Sequence, residues 1–390
     1  MASTVRTPLA AVVGVAELPV APTTELTHFE LIAGAAREAM LDAGCLPGDI
    51  DGLLVATTMA GAQITLPAMV AEYLGVTPTY CDLVDLGGAS AAGMVWRAAA
   101  AIAVGACTSV LCLLGETRGR WAPVRGPGWR GLPIIEFEGV YGRAGPTTGY
   151  ALAADRHAAR YGTTDEQRAA VVVAQRRNAA GNPLALHRDP LTVDDVLTSP
   201  LVCAPLRLLE IVRPASGASA FVVTTSDRAA DAPHSGVWLL GFAERISHAG
   251  IAHMPDLLHT PVADTARRAY AMAGVEPADI DVAELYDCYT ITVILTLEDA
   301  GFCAKGQGGP FVATADFGPK GRPAINTNGG QLCMGQAGVA GGATHLVQAV
   351  RQLRGTAGPN QVPDCQLAFV NGNGGVFGEQ CSLVLGNRPR

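Results

Sequence analysis

The chain reads as apolar strands alternating with helices, in two rounds. Five short runs, Leu9–Val15, Gly52–Thr57, Thr108–Gly115, Val237–Ala243 and Val282–Leu285, lack polar alternation and have the length of strands buried on both faces. The segment Asp82–Gly105 begins as another apolar lead-in and turns at Gly87 and Gly88. Beyond the turn Ala89, Ala92, Val95, Trp96, Ala99, Ile102 and Ala103 recur at helical intervals, which predicts a helix buried on most of its faces. Tyr150, Ala153, Ala154 and His157 fall at i, i+3, i+4 and i+7 and predict a second helix. Unmixed strands alternating with helices imply parallel sheets covered on both sides.

The pattern contains an internal repeat. Ala36–Asp51 reads AREAMLDAGCLPGDID and Ala266–Asp281 reads ARRAYAMAGVEPADID; at an offset of 230, nine of sixteen positions are identical. Each copy predicts a helix ended by a glycine (Gly44, Gly274), a proline-containing turn and an apolar strand. Two halves built on one plan follow, 1–230 and 231–390. RAADAPHSG at 228–236 is the connector, and an inserted region at 117–210 lies within the first half.

Composition narrows the function. The chain has 390 residues, 49% hydrophobic and 16% charged, as expected of a deeply buried α/β protein with ample core. A net charge of −8 argues against nucleic-acid binding. No apolar run of membrane-spanning length appears, and the first residues lack a signal-peptide layout. Ten cysteines without a Cys-x-x-Cys pair make a zinc site improbable; reduced thiols in a cytoplasmic protein are the expectation.

A strand turning sharply into a helix aims backbone N–H groups at the turn and suits a thiol nucleophile. Here the turn holds Gly87 and Gly88, and no nucleophile. This pattern resembles the thiolase superfamily, in which a Cys-Ala-Ser-Gly turn opens the central helix; this chain has Gly88-Ala89-Ser90-Ala91. The resemblance implies an α/β fold, a five-layered αβαβα sandwich of two repeated halves. Helices starting near Gly88 and Gln336 are expected at its centre. Gly145–Gln167 is similar to a loop and helix of the sterol-carrier-protein type of thiolase; His157 within it is read as structural. Where those proteins have His-Asp-Cys/Ala-Phe, this chain has Tyr286-Asp287-Cys288-Tyr289. Together with Glu298–Val312 this turn resembles the thiolase-like aldolases that shorten steroid side chains.

The resemblance makes Tyr286 the first candidate acid/base, the alternative being a core tyrosine bonded to a backbone carbonyl. Asp287 is read as the N-cap of the following helix and Cys288 as an alternative nucleophile. Gly335-Gln336-Ala337 stands where thiolases have Gly-His-Pro, so Gln336 can orient a substrate or water but cannot take a proton. In Phe369–Phe377, FVNGNGGVF, Asn371 aligns with the second thiolase cysteine. Gly88, Asn371, Gly372 and Gly374 are candidates for an oxyanion hole, or the glycines form plain tight turns. Arg118, Arg120, Arg125 and Arg130, interleaved with Trp121 and Trp129, are read as a solvated loop or subunit interface, or as a site for coenzyme A phosphates.

Covalent acyl transfer needs a thiolate and a base, and both cysteines and both histidines of the set are replaced. The expectation is retro-aldol cleavage, or aldol addition, of a 3-hydroxyacyl-CoA. Coenzyme A enters as part of the substrate, with no separate cofactor and no metal. By resemblance the partners are a second copy in a homodimer and an OB-fold protein of the DUF35 type. A non-catalytic subunit of an acyltransferase complex and an atypical acyltransferase using another cysteine remain the alternatives.

Overall fold

The structure is a computed structural model that describes residues 10–59, 64–119, 133–143 and 145–389. Its strands in chain order are β1 Ala10–Glu17, β2 Gly52–Ala56, β3 Tyr80–Val84, β4 Ser109–Glu116, β5 Leu201–Cys203, β6 Leu206–Arg207, β7 Gly217–Thr225, β8 Val237–Ile246, β9 Val282–Leu285, β10 Ala324–Ile325, β11 Leu367–Gly374 and β12 Glu379–Gly386. β5 and β6 form a small hairpin; the other ten make a sheet ordered β10-β9-β11-β12-β8-β1-β7-β4-β2-β3. Each half contributes five strands in the same order from its margin inward. The halves meet where β1 pairs with β8, through Ala11 opposite Trp238 and Val12 opposite Val237.

The strands are not all parallel, as their apolar character had implied. β2, β3 and β4 run parallel, as do β9, β10 and β11. β7 runs antiparallel to β4 and β1, and β12 antiparallel to β11 and β8. The antiparallel strands carry no polar face because helices cover both sides of the sheet, so burial removes the alternation that would have marked them.

Three apolar clusters define the layers. Helices His28–Ala43 and Leu66–Leu74 pack with Leu53, Val55, Leu111 and Val222 on one outer face. Helices Val262–Ala273 and Thr290–Asp299 pack with Ala283, Leu285 and Phe369 on the other. Helices Ser90–Ala103 and Ala343–Arg354 lie between the two halves of the sheet and touch Leu54, Val110 and Phe221 on one side, Val370 and Leu383 on the other. This is the five-layered αβαβα sandwich.

The second central helix begins seven residues after Gln336 rather than beside it. A short helix, Gly330–Met334, stops at Gly335, and a 3-10 turn over Gly338–Gly342 intervenes, because a run this rich in glycine does not sustain an α-helix. The repeated segment ends alike in both halves. Gly44 and Gly274 close their helices in the left-handed conformation, with φ of 67° and 66°. Asp51 accepts from the N–H groups of Thr108 and Ser109 at the start of β4, and Asp281 from those of Gln366 and Leu367 at the start of β11. At one margin of the sheet β3 pairs, among the described residues, with β2 alone, leaving Cys81, Asp82 and Leu83 exposed. Among the described residues no helix is long and apolar enough to cross a membrane.

Candidate active site

The candidate residues gather at the carboxyl ends of the parallel strands of both halves, where ligands bind in open α/β sheets. The Gly88 turn follows β3. Ser90 Oγ closes it by donating to Gly87 O at 2.7 Å and accepting from Leu86 N–H at 3.0 Å. Tyr286 follows β9, with its N–H bonded to Asn371 O at 3.1 Å, and is buried.

The two turns interlock. A Cβ built on Gly88 would overlap the Oη, Cζ and Cε2 atoms of Tyr286. The phenol therefore occupies the space into which a cysteine at position 88 would project, so the missing nucleophile has left a filled site rather than a vacancy. β11 presses against the same turn: a Cβ on Gly372 would lie 2.7 Å from Ala89 Cα, and one on Gly374 would overlap Leu86 O. Gly372 and Gly374 belong to this strand rather than to a free loop, and they let main chain approach main chain. The Asn371 side chain faces the neighbouring strand, donating from Nδ2 to Gln380 at 3.3 Å and to Ser382 at 3.4 Å.

Gln336 is pinned by its main chain: its N–H donates to Arg213 O at 2.8 Å and its O accepts from Ala215 N–H at 2.9 Å. Its side-chain Nε2 donates to Tyr286 Oη at 3.1 Å and to Gly338 O at 3.4 Å. A carbonyl oxygen only accepts, so the amide is fixed with its NH₂ toward both groups. Tyr286 then accepts from Gln336 and keeps its own O–H to donate. Burial, reinforced by the neighbouring Cys288 and Asp287, pushes this phenol well above its ordinary range. At neutral pH the phenol keeps its proton, so Tyr286 does not stand ready as a phenolate to take one from a substrate.

Asp287 caps a different helix from the one expected. The helix Thr290–Asp299 starts after Tyr289, whereas the Asp287 carboxylate accepts from the N–H groups of Gln331 at 2.8 Å and Leu332 at 3.1 Å. It also accepts from Gln175 Nε2 at 2.6 Å and pairs with His345 Nε2 at 3.0 Å. Four converging donors hold Asp287 across to Gly330–Met334, out of reach of its own helix. His345, fully buried, also faces Glu284 at 3.6 Å. Burial opposes its charge, but its hydrogen bonds to the two carboxylates prevail and hold the imidazole up at about 9. Its ring centroid is 6.2 Å from that of Tyr286.

The cysteines near the site are buried and held as thiols. Burial pushes Cys288 and Cys333 up to about 12, so neither holds a thiolate at neutral pH. His157 is a structural residue: fully buried, it bridges Thr163 Oγ1 at 2.7 Å and Glu298 Oε1 at 3.0 Å. Arg118 lies on a loop whose N–H donates to Ser216 Oγ. Arg120, Arg125, Arg130, Trp121 and Trp129 lie outside the described residues.

The sequence reading passed over His345, Glu284 and Glu116. Glu116 is the last residue of β4 and 4% exposed. Its carboxylate accepts from Met59 N–H at 2.7 Å, Thr58 Oγ1 at 3.2 Å and Thr117 N–H at 3.2 Å. The available signal was an acid closing an otherwise apolar strand, TSVLCLLGE.

Fold and site together define a thiolase-like protein with a phenol in the nucleophile's place. Comparison with known proteins agrees. The description "Thiolase C-terminal domain-like" matches residues 243–387. The chain is 32% identical to a 17-hydroxy-3-oxo-4-pregnene-20-carboxyl-CoA lyase of Mycobacterium tuberculosis, over 97% of this chain and 99% of that one. It is 30% identical to an acetyl-CoA acetyltransferase of Methanothermobacter thermautotrophicus, over 94% of this chain and 97% of that one. Among solved structures, the Ltp2-ChsH2(DUF35) aldolase superposes with a TM-score of 0.88 at 31% identity, covering 97% of each chain. The chain belongs to the thiolase superfamily.

Proposed function

We propose that this protein is a carbon–carbon lyase that cleaves a 3-hydroxyacyl-CoA by a retro-aldol step, without an acyl-enzyme. The relatives include both a lyase and an acetyltransferase, so overall similarity does not choose between them. The site does. One observation carries the reading: Tyr286 fills the space beside Gly88 that an acylated cysteine would need.

In the reaction the β-hydroxyl loses its proton, its oxygen becomes a carbonyl and the Cα–Cβ bond breaks. The electron pair passes to the thioester as an enolate. Main-chain N–H groups where the Gly88 turn meets Gly372 and Gly374 stabilise that oxyanion, with Asn371 supporting the strand. Tyr286, oriented by Gln336, delivers the proton to Cα. One proton leaves the substrate and one returns, so the chemistry calls for no cofactor beyond the coenzyme A of the substrate.

The similarity to an aldolase solved with a DUF35 protein supports an OB-fold partner of that type. The one-sided edge of β3, with Cys81, Asp82 and Leu83 exposed, supports a homodimer formed by a second copy along that strand. Ten unpaired thiols fit the cytoplasm.

The test is to supply the chain, co-purified with a DUF35-type partner, with the 17-hydroxy-3-oxo-4-pregnene-20-carboxyl-CoA of its relative's name. Mass spectrometry should show a ketone and propionyl-CoA, while the intact protein gains no acyl mass. A stoichiometric adduct on Cys288 or Cys333 would overturn the reading in favour of acyl transfer; an inert complex would leave a structural subunit.

A further inference from the structure

If Tyr286 holds its proton, another group must take the one on the β-hydroxyl. Two buried carboxylates stand near the Gln336 loop. Glu17 faces Arg351 at 3.6 Å and lines a space of only about 10 Å³, room for a single water. Glu116 is placed differently. It ends β4, and β4 and β3 both flank β2 in parallel, so Glu116 and the Gly88 turn emerge at the same end of the sheet. A Cβ on Gly338 would lie 2.7 Å from Glu116 Oε2. The oxygen of that same glycine accepts from the Gln336 amide that holds Tyr286. One residue thus separates the carboxylate from the amide and phenol.

We propose that Glu116 is the general base of the retro-aldol step, taking the β-hydroxyl proton while Tyr286 supplies the proton to Cα; this rests on the lyase reading above. The division of labour balances. The O–H pair forms the carbonyl, the Cα–Cβ pair becomes the enolate, and Cα receives the tyrosine proton. Glu116 ends protonated and Tyr286 ends as phenolate; transfer of that proton between them through water restores both. The donors on Glu116, from Met59, Thr58 and Thr117, fix the carboxylate's direction, and the positive charge of Arg118 also acts on it. Burial, partly offset by these hydrogen bonds and by the Arg118 charge, raises its pKa above the usual carboxylate value and makes it a stronger base than a solvated glutamate.

The test reads the base directly. Glu116→Gln keeps the shape of the side chain and removes its capacity to take a proton, so kcat for cleavage of the steroid thioester should fall by about 10²–10⁴ with KM little changed. The fall in kcat on the acid side of the wild-type pH profile, which reports protonation of the carboxylate, should be absent from the residual activity. Unchanged cleavage in Glu116→Gln overturns the proposal, as does an acid-side fall that persists in a variant with wild-type melting. Should Glu116→Gln fail to fold, Glu116→Asp, which keeps a carboxylate one methylene shorter, must lower kcat and keep the acid-side fall or the proposal falls. A wild-type complex that does not cleave sinks the lyase reading itself.

Discussion

The two halves of the molecule share a plan and differ at their strand ends. Asp51 and Asp281 both staple the start of a neighbouring strand, and Gly44 and Gly274 both end a helix. Past the repeat the halves part. At the offset of 230, Tyr286 falls opposite Ala56, the small residue that ends β2. β4 closes on Glu116, whereas its counterpart β11 closes on Gly374. The first half therefore brings a turn without a side chain and a carboxylate; the second brings a phenol, an amide and a glycine-rich strand. Positions that build the sheet kept the symmetry, and positions at its carboxyl ends lost it.

The sharpest way to test this asymmetry is to remove the phenol's hydroxyl. Tyr286→Phe keeps the ring beside Gly88, and kcat for cleavage should fall by about 10²–10⁴ with KM little changed. The fold should lose about 1 kcal/mol, or up to about 3 if a buried partner is left unsatisfied. Full activity in this variant would remove Tyr286 from the chemistry.

Next in size is the turn that faces it. Gly88→Ala forces a methyl group into the phenol and should destabilise the protein by about 1–3 kcal/mol, read by denaturant melts. In a Tyr286→Ala background the same Gly88→Ala change should cost less, since the overlap is with the ring. An unperturbed Gly88→Ala protein would mean that the two turns do not interlock.

The smallest effects should come from the symmetric positions. Asp51→Asn and Asp281→Asn each weaken bonds to two strand-starting N–H groups, and each should cost about 1–2 kcal/mol of stability. Because the two staples are alike, the losses should be similar and the kcat of folded protein unchanged. A large loss of activity from either would show that the repeat serves the site as well as the scaffold.

The scaffold was legible because its signals are local. The repeat, the capping glycines and the apolar runs need only neighbouring residues to be read, and they placed β2, β9 and the helices between correctly. Strand direction was not legible, since coverage on both faces erases the difference between parallel and antiparallel runs. At the site, Tyr286 and Gln336 were found by resemblance, but their bond joins residues fifty positions apart. The Asp287 carboxylate reaches Gln331, forty-four positions on, and so escaped a rule based on the adjacent helix. Glu116 went unread because one acid at the end of an apolar strand is indistinguishable, in sequence, from a solvated strand end.

Exchanging a thiol for a phenol also changes what reagents can see. Electrophilic probes that label thiolases through a catalytic cysteine find nothing to alkylate at Gly88, and Cys288 and Cys333 are shielded by burial. The exposed thiol on β3, Cys81, remains open to them. Chemical-proteomic labelling of this protein would accordingly report whether its sheet edge is covered, and an inhibitor screen built on warheads would miss its active site altogether.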